Sequence, residues 1–192
     1  MKKRPILFSG PMVRSILDGR KTQTRRGMRI QPRHEPSVQT DNDPRDGHAF
    51  TYAMWDGGRG DAACVCPYGS PGDWLWVRET WMQTPGGPAY KADGGDHYGA
   101  GGRLTWKPSI HMSRSASRIT LEIVKVRVER LQEITENDAV AEGAPALVEE
   151  DSSVTCGRHK TVFVKLWDKL NAKRGYGWDN NPWVWVIEFK RI

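Results

Sequence analysis

The sequence predicts a mixed α+β fold: a small bent β-barrel flanked by three short helices and interrupted by two long loop insertions. Three observations carry this. The β segment Arg118 to Leu131 changes the parity of its apolar residues halfway along. Short amphipathic helical patterns stand among several strands without a regular strand–helix alternation. Two stretches rich in Gly, Pro, Asp and Asn separate the periodic segments.

Pro5 to Phe8 is an apolar run and reads as the first strand. Ser9-Gly10-Pro11 supplies a cap residue and a first-turn proline for a helix. Met12, Val13, Ile16 and Leu17 follow at helical spacing, and Gly19 ends the helix. Residues 27–70 lack steady periodicity and read as the first insertion. Trp74 to Trp81 reads as a strand, and residues 84–110 as the second insertion, with a short strand near Ala89–Ala92.

In Arg118–Leu131, Ile119, Leu121 and Ile123 share one parity; Val124, Val126 and Val128 share the other. An uninterrupted strand sends these sets to opposite faces, so a bulge near Ile123–Val124 is expected to keep both on the core. Thr135-Glu136-Asn137-Asp138 resembles a capping box that opens a short helix, closed by Gly143 and Pro145. Val162, Phe163, Leu166, Trp167 and Leu170 mark a third helix. Trp183 to Phe189 is apolar at both parities and reads as a central strand.

The 192 residues fit one domain spanning 1–192, long enough to bury a core without disulfides or metal. Three cysteines are too few for a disulfide framework, and their odd number points to a reducing compartment. With no signal-type or membrane-length apolar run, a cytoplasmic protein without a membrane partner is expected. The net charge of +6 is patterned. Residues 1–35 hold ten Lys or Arg against Asp18 and Glu35, whereas residues 133–151 hold seven acids and no base. A basic front end suits a polyanionic partner, RNA or DNA above all.

The basic segment Gly19-Arg20-Lys21-Thr22-Gln23-Thr24-Arg25-Arg26 matches the pattern G-x-K-x-x-x-x-R. It stands in a distinctive order: strand, helix, signature, the Gly72-Asp73-Trp74-Leu75-Trp76-Val77 strand, bent strand, short helix, final strand. Signature and order together resemble the ASCH family, relatives of the PUA RNA-binding fold. The two insertions resemble those of larger ASCH proteins from phages and prophages. The resemblance implies a PUA-like barrel.

One ASCH branch is more closely similar: small bacterial amidohydrolases of N4-acetylcytidine, which carry G-R-K-T-x-T-x-R here. That resemblance implies a catalytic set of Lys21, Thr24 and Glu142, the last within Thr135-Glu136-Asn137-Asp138-Ala139-Val140-Ala141-Glu142. Amide hydrolysis needs a nucleophile, a proton shuttle and oxyanion stabilisation. Thr24 offers a hydroxyl. Lys21 offers a base if burial or neighbouring Arg20, Arg25 and Arg26 lower its pKa. Glu142 offers a carboxylate to orient it or shuttle protons. In a plain strand Lys21 and Thr24 point to opposite faces, so a shared site requires Lys21 to belong to the turn after Gly19.

Further binding candidates are Arg20, Arg25, Arg26, Arg78, Glu79, Trp81, His111 and Arg118. Glu79 shares parity with Leu75 and Val77, so an inward carboxylate there must be paired or must line a cavity. Trp81 and His111 lie near loop–strand junctions, suited to stacking on a base. Cys64-x-Cys66 with Cys156 and His159 has poor zinc spacing, and no metal or other cofactor is expected. Three functions follow in order of preference. The first is hydrolysis of an N-acyl group on a modified cytidine-like nucleoside. The second is non-catalytic binding of single-stranded RNA, and the third is RNA cleavage.

Overall fold

The structure is a computed structural model that describes residues 1–42, 49–56, 61–94, 98–99, 102–103, 105–145 and 159–192. In chain order the regular elements begin with β1 (Lys3–Leu7), α1 (Gly10–Leu17) and β2 (Gln23–Gly27). Next come β3 (Ser37–Asn42), β4 (Ala49–Asp56), β5 (Asp61–Val65), β6 (Trp74–Arg78), β7 (Trp81–Thr84) and β8 (Gly87–Tyr90). They continue with β9 (Tyr98–Gly99), β10 (Gly102–Arg103), β11 (Thr120–Arg130), α2 (Glu136–Ala141), α3 (His159–Asn171) and β12 (Trp183–Arg191). The architecture is thus mixed α+β. No described helix is long and apolar enough to cross a membrane.

The main sheet has the order β1-β6-β11-β12-β2. β1 and β6 are parallel; the other three pairings are antiparallel. The sheet is not closed into a barrel: β1 and β2 are its two edges. A side chain links them, for Arg26 on β2 donates from Nη2 to the Leu7 carbonyl on β1 at 2.7 Å.

β12 is central and buried on both faces, as its double-parity apolar pattern requires. Trp183, Trp185, Ile187 and Phe189 enter one core with Ile6, Val13 and Leu75. Val184 and Val186 enter a second core with Phe163 and Trp167 of α3. β11 carries the bulge: its register on β12 shifts between Ile123 and Lys125. The bulge differs from expectation in one respect. It returns Val126 to the core but leaves Val124, the extra residue, 51% exposed.

The insertions are more ordered than their composition suggests. Residues 27–70 contain the antiparallel sheet β3-β4-β5. Met28, Ala53 and Cys66 from this stretch, and Ala92 from the second, are buried in the first core. Met28, Cys66 and Ala92 lie outside the strands, so no period of two marks them, and the described buried side chains of β4 are only Thr51 and Ala53. Trp74–Trp81 is likewise two strands, broken at Glu79-Thr80.

Candidate functional site

The site begins with how α1 ends. Gly19 has φ +74°, and the N–H groups of Arg20 and Lys21 both donate to the Ser15 carbonyl at 2.9 Å. Lys21 therefore lies in the turn, two residues before β2. Thr22 fastens the turn on both sides: its N–H reaches Ala141 O and its carbonyl accepts from Phe189 N–H, each at 2.8 Å.

Glu142 arrives from the opposite direction. Thr135 caps α2 by accepting from the Asp138 N–H, and the Asp138 carboxylate returns to the Thr135 N–H. α2 stops at Gly143, whose φ is +78°. A Cβ there would stand 2.9 Å from Ser15 Cβ and 3.0 Å from Lys21 Cβ. Only a glycine allows the end of α2 to close on α1 and the lysine turn.

The Lys21 side chain is wholly buried and its ammonium is saturated. It donates to Gln23 O at 2.8 Å, Glu142 O at 2.7 Å and Glu142 Oε2 at 2.9 Å. The Phe8 ring covers it, 5.5 Å away. Burial lowers the Lys21 pKa from the usual lysine value, Glu142 opposes this by charge and hydrogen bond, and Arg26 and Arg25 push it further down.

Glu142 is also held by Arg25, whose Nη1 lies 3.4 Å from Oε1. Arg25 is buried and continues the network through Nη2, to Glu129 Oε2 at 3.0 Å and Asp138 Oδ2 at 3.3 Å. Arg127 joins Asp138 at 3.0 Å and also pairs with Glu129 and Glu188. Gln23 donates to Asp138 Oδ1 at 3.0 Å. Burial alone raises the Asp138 carboxyl; the Thr135 backbone and hydroxyl, Gln23 and Arg25 outweigh it and bring the pKa down to about 2.

Beside this network lies a cavity of about 560 Å³. Thr24, Arg26 and Glu142 line its polar side, while Phe8, Met12, Phe163, Leu166, Trp167 and Tyr176 are among its apolar and aromatic walls. Lys21 is not on its surface; it reaches the cavity only through Glu142. Arg26 lies 5.3 Å over the Phe8 ring, and its buried Nε has no acceptor. Tyr176 packs its ring against Gly27, and its carbonyl accepts from Trp167 Nε1 at 2.6 Å.

The other expected site residues fall elsewhere. Arg20 is exposed and pairs with Asp18 at 2.8 Å, away from the lysine cage. Arg25 borders the cavity, but its side chain is wholly buried in the ion-pair network. Glu79 is buried and bidentate to Arg118 at 2.9 and 3.1 Å. Arg118 also grips Asp93 and covers Tyr90, so this pair is a structural clasp. Trp81 is buried with Met112 and Ala116, and His111 is exposed beyond it. Arg78 lies on β6 against Trp76, 4.6 Å from its ring. His159 meets the Ala144 carbonyl at 2.8 Å, and Cys156 lies outside the described residues. Among the described residues no cluster of His, Cys, Asp or Glu has a metal-binding arrangement.

Sequence reading missed Gln23, Arg127, Glu129, Asp138 and Glu188. A signal was present: Arg127, Glu129 and Glu188 are charges inside apolar strands, and such charges need partners.

No family model matches the sequence, and no curated protein sequence matches it. Two solved structures are similar to the chain. One is an ASCH domain from Lactobacillus crispatus, 11% identical over 99% of this chain and 79% of that one, with a TM-score of 0.44. The other is a protein of the DUF984 family from Enterococcus faecalis, 9% identical over 100% of this chain and 80% of that one, with a TM-score of 0.42.

Proposed function

We propose that the chain is an amidohydrolase that removes an N-acyl group from a cytidine-like base, with Lys21, Thr24 and Glu142 as its working set. One observation carries this reading. A lysine with its ammonium wholly buried is bound to the Glu142 carboxylate, and Glu142 and Thr24 line one cavity. The resemblance of Gly19–Arg26 to the N4-acetylcytidine amidohydrolase signature supports the same set.

The chemistry follows from the groups present. The Thr24 hydroxyl adds to the acyl carbon, and its proton passes to Glu142, which Lys21 holds in place. Arg26, a cation that lines the cavity with Thr24, receives the oxyanion. The C–N bond then breaks, and the exocyclic nitrogen leaves as the amine with the proton from Glu142. A water hydrolyses the acyl ester and restores Thr24. The aromatic walls suit a flat base.

The test is turnover by the pure protein of N4-acylated cytidines with acyl chains of increasing size, followed by the ultraviolet change to free cytidine. Turnover of at least one is expected. No turnover across the series overturns the reading.

A further inference from the structure

The outer face of the main sheet carries a feature that the cavity does not use. On β6, Trp74, Trp76 and Arg78 alternate with buried Leu75 and Val77, so all three stand on the face away from the first core. The parallel register sets Lys3 beside Trp74, Pro5 beside Trp76 and Leu7 beside Arg78. Both tryptophans are half-buried, with part of their surface open. Each has a cation on its ring: Lys3 Nζ is 4.4 Å from the Trp74 centroid, and the Arg78 guanidinium 4.6 Å from that of Trp76. The one acid in these rows, Glu122, is neutralised by Lys190 at 3.1 Å.

We infer that this face is a stacking platform for single-stranded RNA, with Trp74 and Trp76 taking successive bases and Lys3 and Arg78 taking phosphates. Two rings two residues apart on a strand lie roughly 6.6 Å apart along it, room for two bases splayed onto separate rings. A ring offers every base a face, and the cation beside it is drawn to the phosphate that comes with that base.

Continuity argues for the same occupant. Leu7, opposite Arg78 in the register and 38% exposed, also lines the cavity. A strand lying on Trp74 and Trp76 is thereby led over Leu7 to the cavity mouth, where one base can turn in. RNA rather than DNA rests on the cytidine reading of the cavity. The platform itself rests on the two rings and their cations.

The experiment is fluorescence anisotropy with a short labelled single-stranded RNA, beside DNA of the same sequence and an RNA duplex. Salt-sensitive binding of the single-stranded RNA is expected. Trp76→Ala weakens it about tenfold, whereas Trp76→Phe retains most of it because a ring remains. Lys3→Ala reduces the slope of log affinity against log salt by about 0.7, the value of one phosphate contact on a single strand. N4-acetylcytidine turnover and the thermal melt are recorded for every variant. Lost RNA affinity with both unchanged supports the platform. RNA affinity in a protein that hydrolyses no acylcytidine sinks the hydrolase reading alone. Three results overturn the platform: no RNA binding by the parent protein at low salt, binding indifferent to Trp76→Ala, or a duplex bound as tightly as the single strand. Equal affinity for single-stranded DNA overturns RNA as the occupant.

Discussion

Lys21 Nζ lies 2.9 Å from Glu142 Oε2 and 2.7 Å from the backbone carbonyl of the same residue, across 121 positions of chain. The pair joins the turn after α1 to the end of α2, so the same contacts hold the fold together and set the electrostatics of the cavity wall.

Breaking the pair from the lysine side will be costly. Lys21→Met leaves Glu142 buried, with Arg25 at 3.4 Å as its remaining cation. A loss of about 3 kcal/mol is expected, the lower end for removing one partner of a buried ion pair. Urea denaturation measures it. A loss under about 1 kcal/mol would mean that water or Arg25 already satisfies Glu142.

Gly143 is the hinge of this arrangement. Gly143→Ala meets both a positive φ and contacts of 2.9 and 3.0 Å with Ser15 and Lys21. The expected cost is about 1–3 kcal/mol, again read from denaturation. By contrast, Gly19→Ala shares the positive φ but meets nothing within 4 Å, and should cost less.

Much of this was legible in the sequence, and the reasons differ by element. Gly19 marked the end of α1, because a left-handed glycine ends a helix, but whether Lys21 belonged to the turn after it or to the strand stayed open until the structure placed it in the turn. The capping box and Gly143 marked both ends of α2. The parity change in β11 located the bulge to within a residue but not its consequence for Val124. What stayed hidden was pairing between distant charges. Strand parity turned Glu79 inward but could not name Arg118 as its partner, and nothing local shows that Arg25 is buried. The strands of residues 37–65 were hidden for another reason: among their described side chains only Thr51 and Ala53 are buried, which shows no apolar period of two.

The bulge itself can be tested by contrast. Ile123→Ala, in the core, should cost about 2–5 kcal/mol. Its neighbour Val124→Thr, exposed by the bulge, should stay within about 0.5 kcal/mol. Equal costs at the two positions would place Val124 in the core after all.

Acid will expose the network around Arg25. The Asp138 carboxyl sits at about 2 in the fold against an ordinary 3.8. Its contribution is therefore complete above about pH 4 and is lost as the pH falls from about 4 to about 2. Stability measured by denaturant across that window should fall, and Asp138→Asn should flatten this limb. An unchanged acid limb in the variant would assign the loss to other carboxylates.

The central claim is that Glu142, held by Lys21, works on an N-acyl bond in the cavity. The most direct measurement is the rate of N4-acetylcytidine deacylation by Glu142→Gln beside the parent protein, with circular dichroism showing both folded. Glutamine keeps the shape and the acceptor facing Lys21 but removes the carboxylate, so the account predicts a fall of about 10²-fold or more. A folded Glu142→Gln protein that deacylates at the parent rate would contradict it.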